Sequence, residues 1–138
     1  MGIPSKEDIS PTGGLDLDEL SAVNDLHGNP DISVFFDDYS LTMCFHLKNM
    51  GPRAFEYYID YAIEYFSSHR SDEDSPAVHA IIGACERQMI AASESSETKI
   101  LTLLRVVIER WDNFDFKEGD ECLFSKVVEL IERIGGEM

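Results

Sequence analysis

Positive charge is what this chain has least of. Eleven Lys and Arg stand against 27 Asp and Glu in 138 residues, a formal net charge of −16. The deficit is spread rather than gathered in a tail: −7 over residues 1–50, −5 over 51–100 and −4 over 101–138. A field of that sign repels nucleic acid and anionic lipid and attracts basic macromolecules. The basic, aromatic-interleaved surface of a nucleic-acid binder is correspondingly missing.

Cysteine is also scarce. Cys44, Cys85 and Cys122 are odd in number and far apart, with no C-x-x-C and no Cys/His cluster. This speaks against a disulfide framework or a zinc site. Reduced, mostly buried thiols and a cytoplasmic setting are expected instead. No apolar run approaches the 18 residues that suggest a membrane span. The opening "MGIPSKEDIS" lacks an apolar leader core, and Lys6 stands where a myristoylation signal wants Ser or Thr. The expectation is a protein that stays where it is made.

Chemical motifs are few as well. There is no phosphate loop, no G-x-G-x-x-G and no G-x-S-x-G elbow. The acidic run "DNFDFKEGDE" fails the EF-hand order, since Phe114 and Lys117 fall where an oxygen ligand and a glycine are needed. It reads as a solvated loop. His27, His46, His69 and His79 stand alone in sequence and are read as structural. No catalytic residue, cofactor or metal ligand is expected, and the protein is read as non-enzymatic.

Apolar periodicity is plentiful. Hydrophobic residues make up 43% of the chain, which excludes wholesale disorder and suits one domain at this length. Residues 1–14, ending "SPTGG", read as a flexible lead-in, and residues 15–138 as a single helical domain. Leu17, Leu20 and Val23 predict a short helix stopped at Gly28. Residues 29–50 are ambiguous. Ile32, Phe36, Tyr39, Met43, Leu47 and Met50 recur at helical steps, while Tyr39, Leu41, Met43, Phe45 and Leu47 alternate as in a hairpin. The leading "NPD" favours helix, in two pieces, over the hairpin.

Pro52 opens a helix running to about Ser68. "RSDEDSP" breaks the chain, with Ser75 expected as N-cap and Pro76 as first helical residue. Val78, Ile81, Ile82, Cys85 and Met89 form the next apolar face, beside the small Ala80, Gly83 and Ala84. Ser95 or Ser96 is expected to cap a central helix carrying Ile100, Leu104, Val107, Ile108 and Trp111. Phe124, Val127, Val128, Ile131 and Ile134 mark the last helix, stopped by the glycines at 135 and 136. The fold class expected is all-α, an antiparallel bundle of about five to six helices.

The run "MGPRAFEYYIDYAIEYFSS" concentrates four tyrosines, two phenylalanines and three acids. On a helical wheel Ala54, Phe55, Tyr58, Ile59, Ala62, Ile63 and Phe66 share the apolar side. Glu56, Asp60 and Glu64 take the solvent side, and Tyr57, Tyr61 and Tyr65 fall on the seam. Each acid pair costs about 0.2–0.5 kcal/mol, against roughly 1.5–3 kcal/mol for burying one aromatic side chain. Packing wins, and the helix forms despite its charge. The seam suits either a core rim or a ridge of phenols and carboxylates for Lys and Arg side chains.

"MGPRAFEYY" resembles the M-G-P-[K/R]-A-F-x-Y-Y signature of a group of small, uncharacterised bacterial proteins that are helical and acidic. The likeness is close from Met50 to Tyr58 and loose to about residue 90. The group continues with proline and alanine where this chain has Asp60 and Tyr61. The resemblance implies a bacterial helical protein and supplies no catalytic residue.

Acidity and the aromatic seam together suggest an interaction module for a basic protein, in its sharpest form an immunity-type inhibitor of a cationic toxin or nuclease. Expected contacts are Glu56, Tyr57, Asp60, Tyr61 and Glu64, extended by Asp37 and Asp38. A homo-oligomer packed through the tyrosine seam and the small-residue helix is the alternative, as is a nucleic-acid mimic. Neither nucleic acid nor membrane is expected as partner, and the chain is read as a monomer or homodimer.

Overall fold

Burial of the helical stripe decides the stretch that lay between helix and hairpin. In a computed structural model describing residues 2–12 and 17–135, it forms two helices, α3 (Ile32–Asp38) and α4 (Ser40–Asn49). Ile32, Phe36, Met43, Leu47 and Met50 of the helical stripe are buried. Tyr39, the sixth member, sits at the break with φ −137° and ψ 50° and is exposed. Asp37 and Asp38 end α3, where the negative end of the helix dipole disfavours carboxylates. Ser40 restarts the helix with its hydroxyl donating to the Asp74 carboxylate at 2.6 Å. The described residues contain no strand.

Ahead of this pair lie α1 (Lys6–Ile9) and α2 (Leu17–Leu26), and after it α5 (Pro52–Ser67), α6 (Ser75–Gln88), α7 (Glu94–Glu109) and α8 (Glu121–Ile134). The fold is an all-α bundle, with more helices than the five or six expected because α1 is added and residues 29–50 split. Single 3₁₀ turns follow α5, α6 and α7. The main packing pairs are α4 with α6 and α5 with α7; α8 closes on α7, and α3 lies across α5.

The helix starts fall within one to three residues of the expected caps. Ser93, rather than Ser95 or Ser96, caps α7, its hydroxyl accepting from the Ser96 N–H at 3.1 Å. Asp74 occupies the N-cap position of α6, one residue before the expected Ser75, and its carboxylate points away to Ser40 and Tyr65. Gly28 and Gly135 take positive φ at the ends of α2 and α8, as C-terminal stops require.

Part of the expected lead-in packs against the rest of the chain, with Pro4, Ile9 and Ser10 buried and most of its other described residues exposed. Ser5 and Asp8 form a reciprocal capping box around α1, and Ile9 is fully buried. Residues 13–16 and 136–138, which held part of the lead-in, the start of the 15–28 helix and the second terminal glycine, lie outside the described residues. The dock for α1 is the M-G-P run. The Gly51 N–H donates to the Asp8 carbonyl at 3.0 Å. A Cβ added at Gly51 would stand 2.5 Å from that oxygen and 3.2 Å from Pro11 Cγ. Gly51→Ala is therefore expected to cost about 1–3 kcal/mol, the usual range for overpacking, and to speed amide exchange at Ile9 and Ser10. Unchanged stability and exchange would show that α1 is not held this way.

Candidate functional site

The long helix α5 brings the expected contact residues along one edge, but it does not leave its acid stripe bare. Glu56 accepts hydroxyl hydrogen bonds from Ser95 (2.5 Å), Ser93 (3.0 Å) and Ser96 (3.3 Å) at the start of α7. These bonds, that of Ser95 first, pull its carboxyl below the ordinary glutamate range, assisted by nearby Lys99. Lys99 reaches back from α7 to the Glu56 carbonyl at 2.9 Å and the Asp60 carboxylate at 3.1 Å. Glu64 and Asp37 share Arg70, whose guanidinium lies 3.0 Å from the first and 2.7 Å from the second. The bond to Asp37 is the main reason the Arg70 cation is held more firmly than usual.

The reason lies in helix packing. Glu56, Asp60 and Glu64 recur every four residues, and that row runs down the side of α5 toward α7 and α3. A sequence wheel separates polar from apolar sides without saying how much of the polar side a neighbouring helix will cover. The seam tyrosines divide in the same way. Tyr65 is buried, with its hydroxyl donating to Asp74 at 2.6 Å. Burial, and then that bond, raise its phenol well above the usual tyrosine range. Tyr57 and Tyr61 stay half-buried, their ring centroids 6.3 Å apart. Desolvation chiefly raises the Tyr61 phenol, and it pushes the buried Tyr58 to about 12. What remains outward on this edge is Tyr57, Tyr61 and the solvent-facing oxygens of Asp60 and Glu64, with Asp38 exposed as the last residue of α3.

No protein family, curated protein or solved structure matches this chain. The M-G-P-R-A-F-E-Y-Y run can still be read from its own surroundings. Met50, Ala54, Phe55 and Tyr58 are core, Gly51 seats α1, and Pro52 begins α5. All of these positions serve packing, which accounts for the pattern without any chemistry.

A second place emerges where sequence reading saw only a solitary histidine. His46 lies on the buried side of α4, with its side chain 6% exposed. Its Nε2 is 2.7 Å from the Asp25 carboxylate on α2, and Phe35 stacks nearby at 6.2 Å between ring centroids. Beside it opens a cavity of about 380 Å³ lined by Asp18, Ser21, Thr42, Phe45, His46 and Asn49. The available signal was a polar residue beside Met43 and Leu47 on an apolar helix side, which must find a partner when buried. The partner, 21 positions away on another helix, was not legible.

Of the remaining histidines, His69 faces its near neighbour Asp72 at 3.3 Å and His79 faces Asp120, ahead of α8, at 3.2 Å; His27 lies just beyond the end of α2. Cys44 and Cys85 are buried, which drives both thiols up, Cys85 to about 12, whereas Cys122 is exposed. Among the described residues there is no cluster of three metal-ligating side chains and no helix long and apolar enough to cross a membrane.

Proposed function

We propose that this chain is an acidic, non-enzymatic interaction module that binds a basic protein, with an immunity-type inhibitor of a cationic toxin or nuclease as the specific form. One observation carries the reading: the charge cannot be balanced from within. Arg53, Arg70, Lys99, Arg110, Lys117, Lys126 and Arg133 already face carboxylates of the chain itself. Pairing every cation would still leave an excess of 16 acids. An uncompensated field of this kind speeds encounter with an oppositely charged partner by about 10–10³-fold. The contact edge is Tyr57, Asp60, Tyr61, Glu64 and Asp38. Asp37 and Glu56 support it from behind through Arg70 and the α7 cap.

The test is capture from source lysate on immobilised protein at low and high salt, followed by a binding isotherm with the purified partner. A basic protein bound at 0.05 M salt and weakened at least tenfold at 0.5 M is expected, because the screening length shrinks well below 10 Å over that range. Enrichment of neutral or acidic proteins, or affinity indifferent to salt, would refute the reading.

A homo-oligomer is favoured by a different observation. The groove between α4 and α6, about 280 Å³, is lined by Leu41, Phe45, Lys48, Pro76, His79, Ala80 and Gly83 and contains no acid. Like-charge repulsion between copies is weakest there. The exposed Phe45 ring and the side-chain-free Gly83 offer a projection and a shallow spot for a two-fold contact. Light scattering in the same high-salt buffer separates the readings: an apolar dimer persists, and Gly83→Leu abolishes it. A Cβ at Gly83 meets nothing within 4 Å, so the added side chain starts in open space.

A further inference from the structure

Two of the chain's own cations occupy the edge proposed for a basic partner. Arg70, in the turn after α5, spans two helices: its Nη1 donates to Asp37 of α3 at 2.7 Å and its Nη2 to Glu64 of α5 at 3.0 Å. Its Nε donates to the Ser68 hydroxyl at 3.1 Å, and its guanidinium carbon lies 5.9 Å from the Tyr65 ring centroid. Lys99, from α7, reaches the Glu56 carbonyl at 2.9 Å and the Asp60 carboxylate at 3.1 Å. Together they engage Asp37, Asp60 and Glu64, all expected contact residues.

These cations are not sealed in. The Arg70 and Lys99 side chains are 35% and 31% exposed, and those of Asp60 and Glu64 more than half exposed. Exposed ion pairs are screened by water and contribute little to stability, so they exchange at small cost. A partner cation approaching Asp60 or Glu64 meets a like charge already beside the same carboxylate. It gains close contact by taking that cation's place. The place held by Arg70 has a definite shape. Carboxylates from two helices beside an aromatic ring suit a planar fork of donors, and an ammonium serves them less well.

We infer that Arg70 and Lys99 are internal competitors for this edge, and that binding replaces Arg70 by an arginine of the basic partner. The inference rests on the proposed function and deepens it, because it names the group the edge receives and what limits its affinity. Long-range attraction comes from the whole acid excess, whereas close contact requires the exchange. A protein that is merely basic gains the first without the second.

The probe is hexa-arginine amide, titrated into the full chain by ¹⁵N NMR beside hexalysine amide. Arg70→Gln with Lys99→Gln is compared with a control, Lys117→Gln with Arg133→Gln. The control removes the same charge and also parts exposed ion pairs, in the loop before α8 and on α8 itself. The edge variant should bind hexa-arginine about fivefold or more tightly than the control does, with saturable shifts at Asp37, Tyr57, Asp60, Tyr61 and Glu64. It should prefer hexa-arginine to hexalysine by about threefold or more. Each single edge substitution should give part of the gain, which keeps the test available if the double variant unfolds. A purely structural role for the two cations predicts loosened contacts of α3 and α7 with α5 and no gain in affinity. Equal affinities for edge variant and control, shifts spread over the whole acidic surface, or hexalysine bound as tightly as hexa-arginine would overturn the inference. Partner capture separates the two claims. If a basic protein is captured and the edge variant holds it no more tightly than the control does, the inference fails while the proposed function stands. If no basic protein is captured but the edge variant shows its gain for hexa-arginine, the exchange at the edge stands and the proposed function fails.

Discussion

Gln88→Glu is expected to lower the urea midpoint at pH 7 by about 1.5 M or more, from a loss of about 3–4 kcal/mol. The exchange alters one atom, and the effect comes from where that atom sits. At the end of α6, the Gln88 amide nitrogen donates to the Leu47 carbonyl at 2.9 Å and the Met50 carbonyl at 2.8 Å, with the Lys48 carbonyl at 3.4 Å. The last carbonyls of a helix have no partner within it and must find one elsewhere. Gln88 is 6% exposed, so water does not replace the lost bonds.

A carboxylate there faces acceptors at the negative end of α4, and both terms oppose its charge. The variant's carboxyl is thus raised in the folded state above its unfolded value of about 4.3. A raised group keeps its full stability below the unfolded value and loses it as pH rises through the folded one. The penalty should therefore be small near pH 4 and large at pH 7. Gln88→Leu is the control: it strands the same carbonyls without adding charge, at about 2 kcal/mol and with no pH dependence relative to wild type. Equal midpoints for the two variants at pH 7 would refute the electrostatic part of the argument.

Arg110→Ala should cost about 2–3 kcal/mol, because one guanidinium ties the end of α7 to the connection between α5 and α6. Its Nη1 donates to the Phe66 carbonyl at 2.6 Å and the Ser71 hydroxyl at 2.8 Å, and its Nη2 to the Asp72 carboxylate. The cation also lies 5.4 Å from the Phe114 ring centroid. Ser71 is fully buried, so the loss is felt inside the protein. Asp72 is 38% exposed and regains water, which limits the cost.

Arg110→Lys should recover less than half, since a single ammonium cannot serve three acceptors set for a planar fork. The adjacent Trp111 is the chain's only tryptophan and stacks on Phe116 at 4.1 Å. Its fluorescence reports this corner during urea unfolding. A lysine variant as stable as wild type would mean that charge alone, rather than geometry, holds the connection.

These two residues show where sequence reasoning reached its limit. Neither Gln88 nor Arg110 stands out in a helical pattern, because each acts on backbone carbonyls supplied by another helix. His46 and Asp25 are a similar case. Helix existence was far more legible: α5 to α8 follow the 3.6-residue recurrence of their apolar residues, and Pro52 and Gly135 mark ends through their own backbone chemistry. In residues 29–50, where Met43 and Leu47 fit either pattern, only the leading Asn29-Pro30-Asp31 favoured helix over hairpin. The cap positions shifted by a few residues because neighbouring serines and acids compete for the same backbone N–H groups, and tertiary contacts choose among them.

Local periodicity and composition thus determined the all-α class, the apolar faces and the acid excess, since each follows from side chains a few positions apart or from a simple count. Only the packed structure decided which acids remain available. Glu56 and Asp60 found partners at the start of α7, Glu64 and Asp37 found Arg70 in the turn after α5, and Asp25 found His46 on α4. Those pairings depend on which helices meet and at what register. Registry between distant segments is settled by the sum of all core contacts, and no single stretch of the chain encodes that sum.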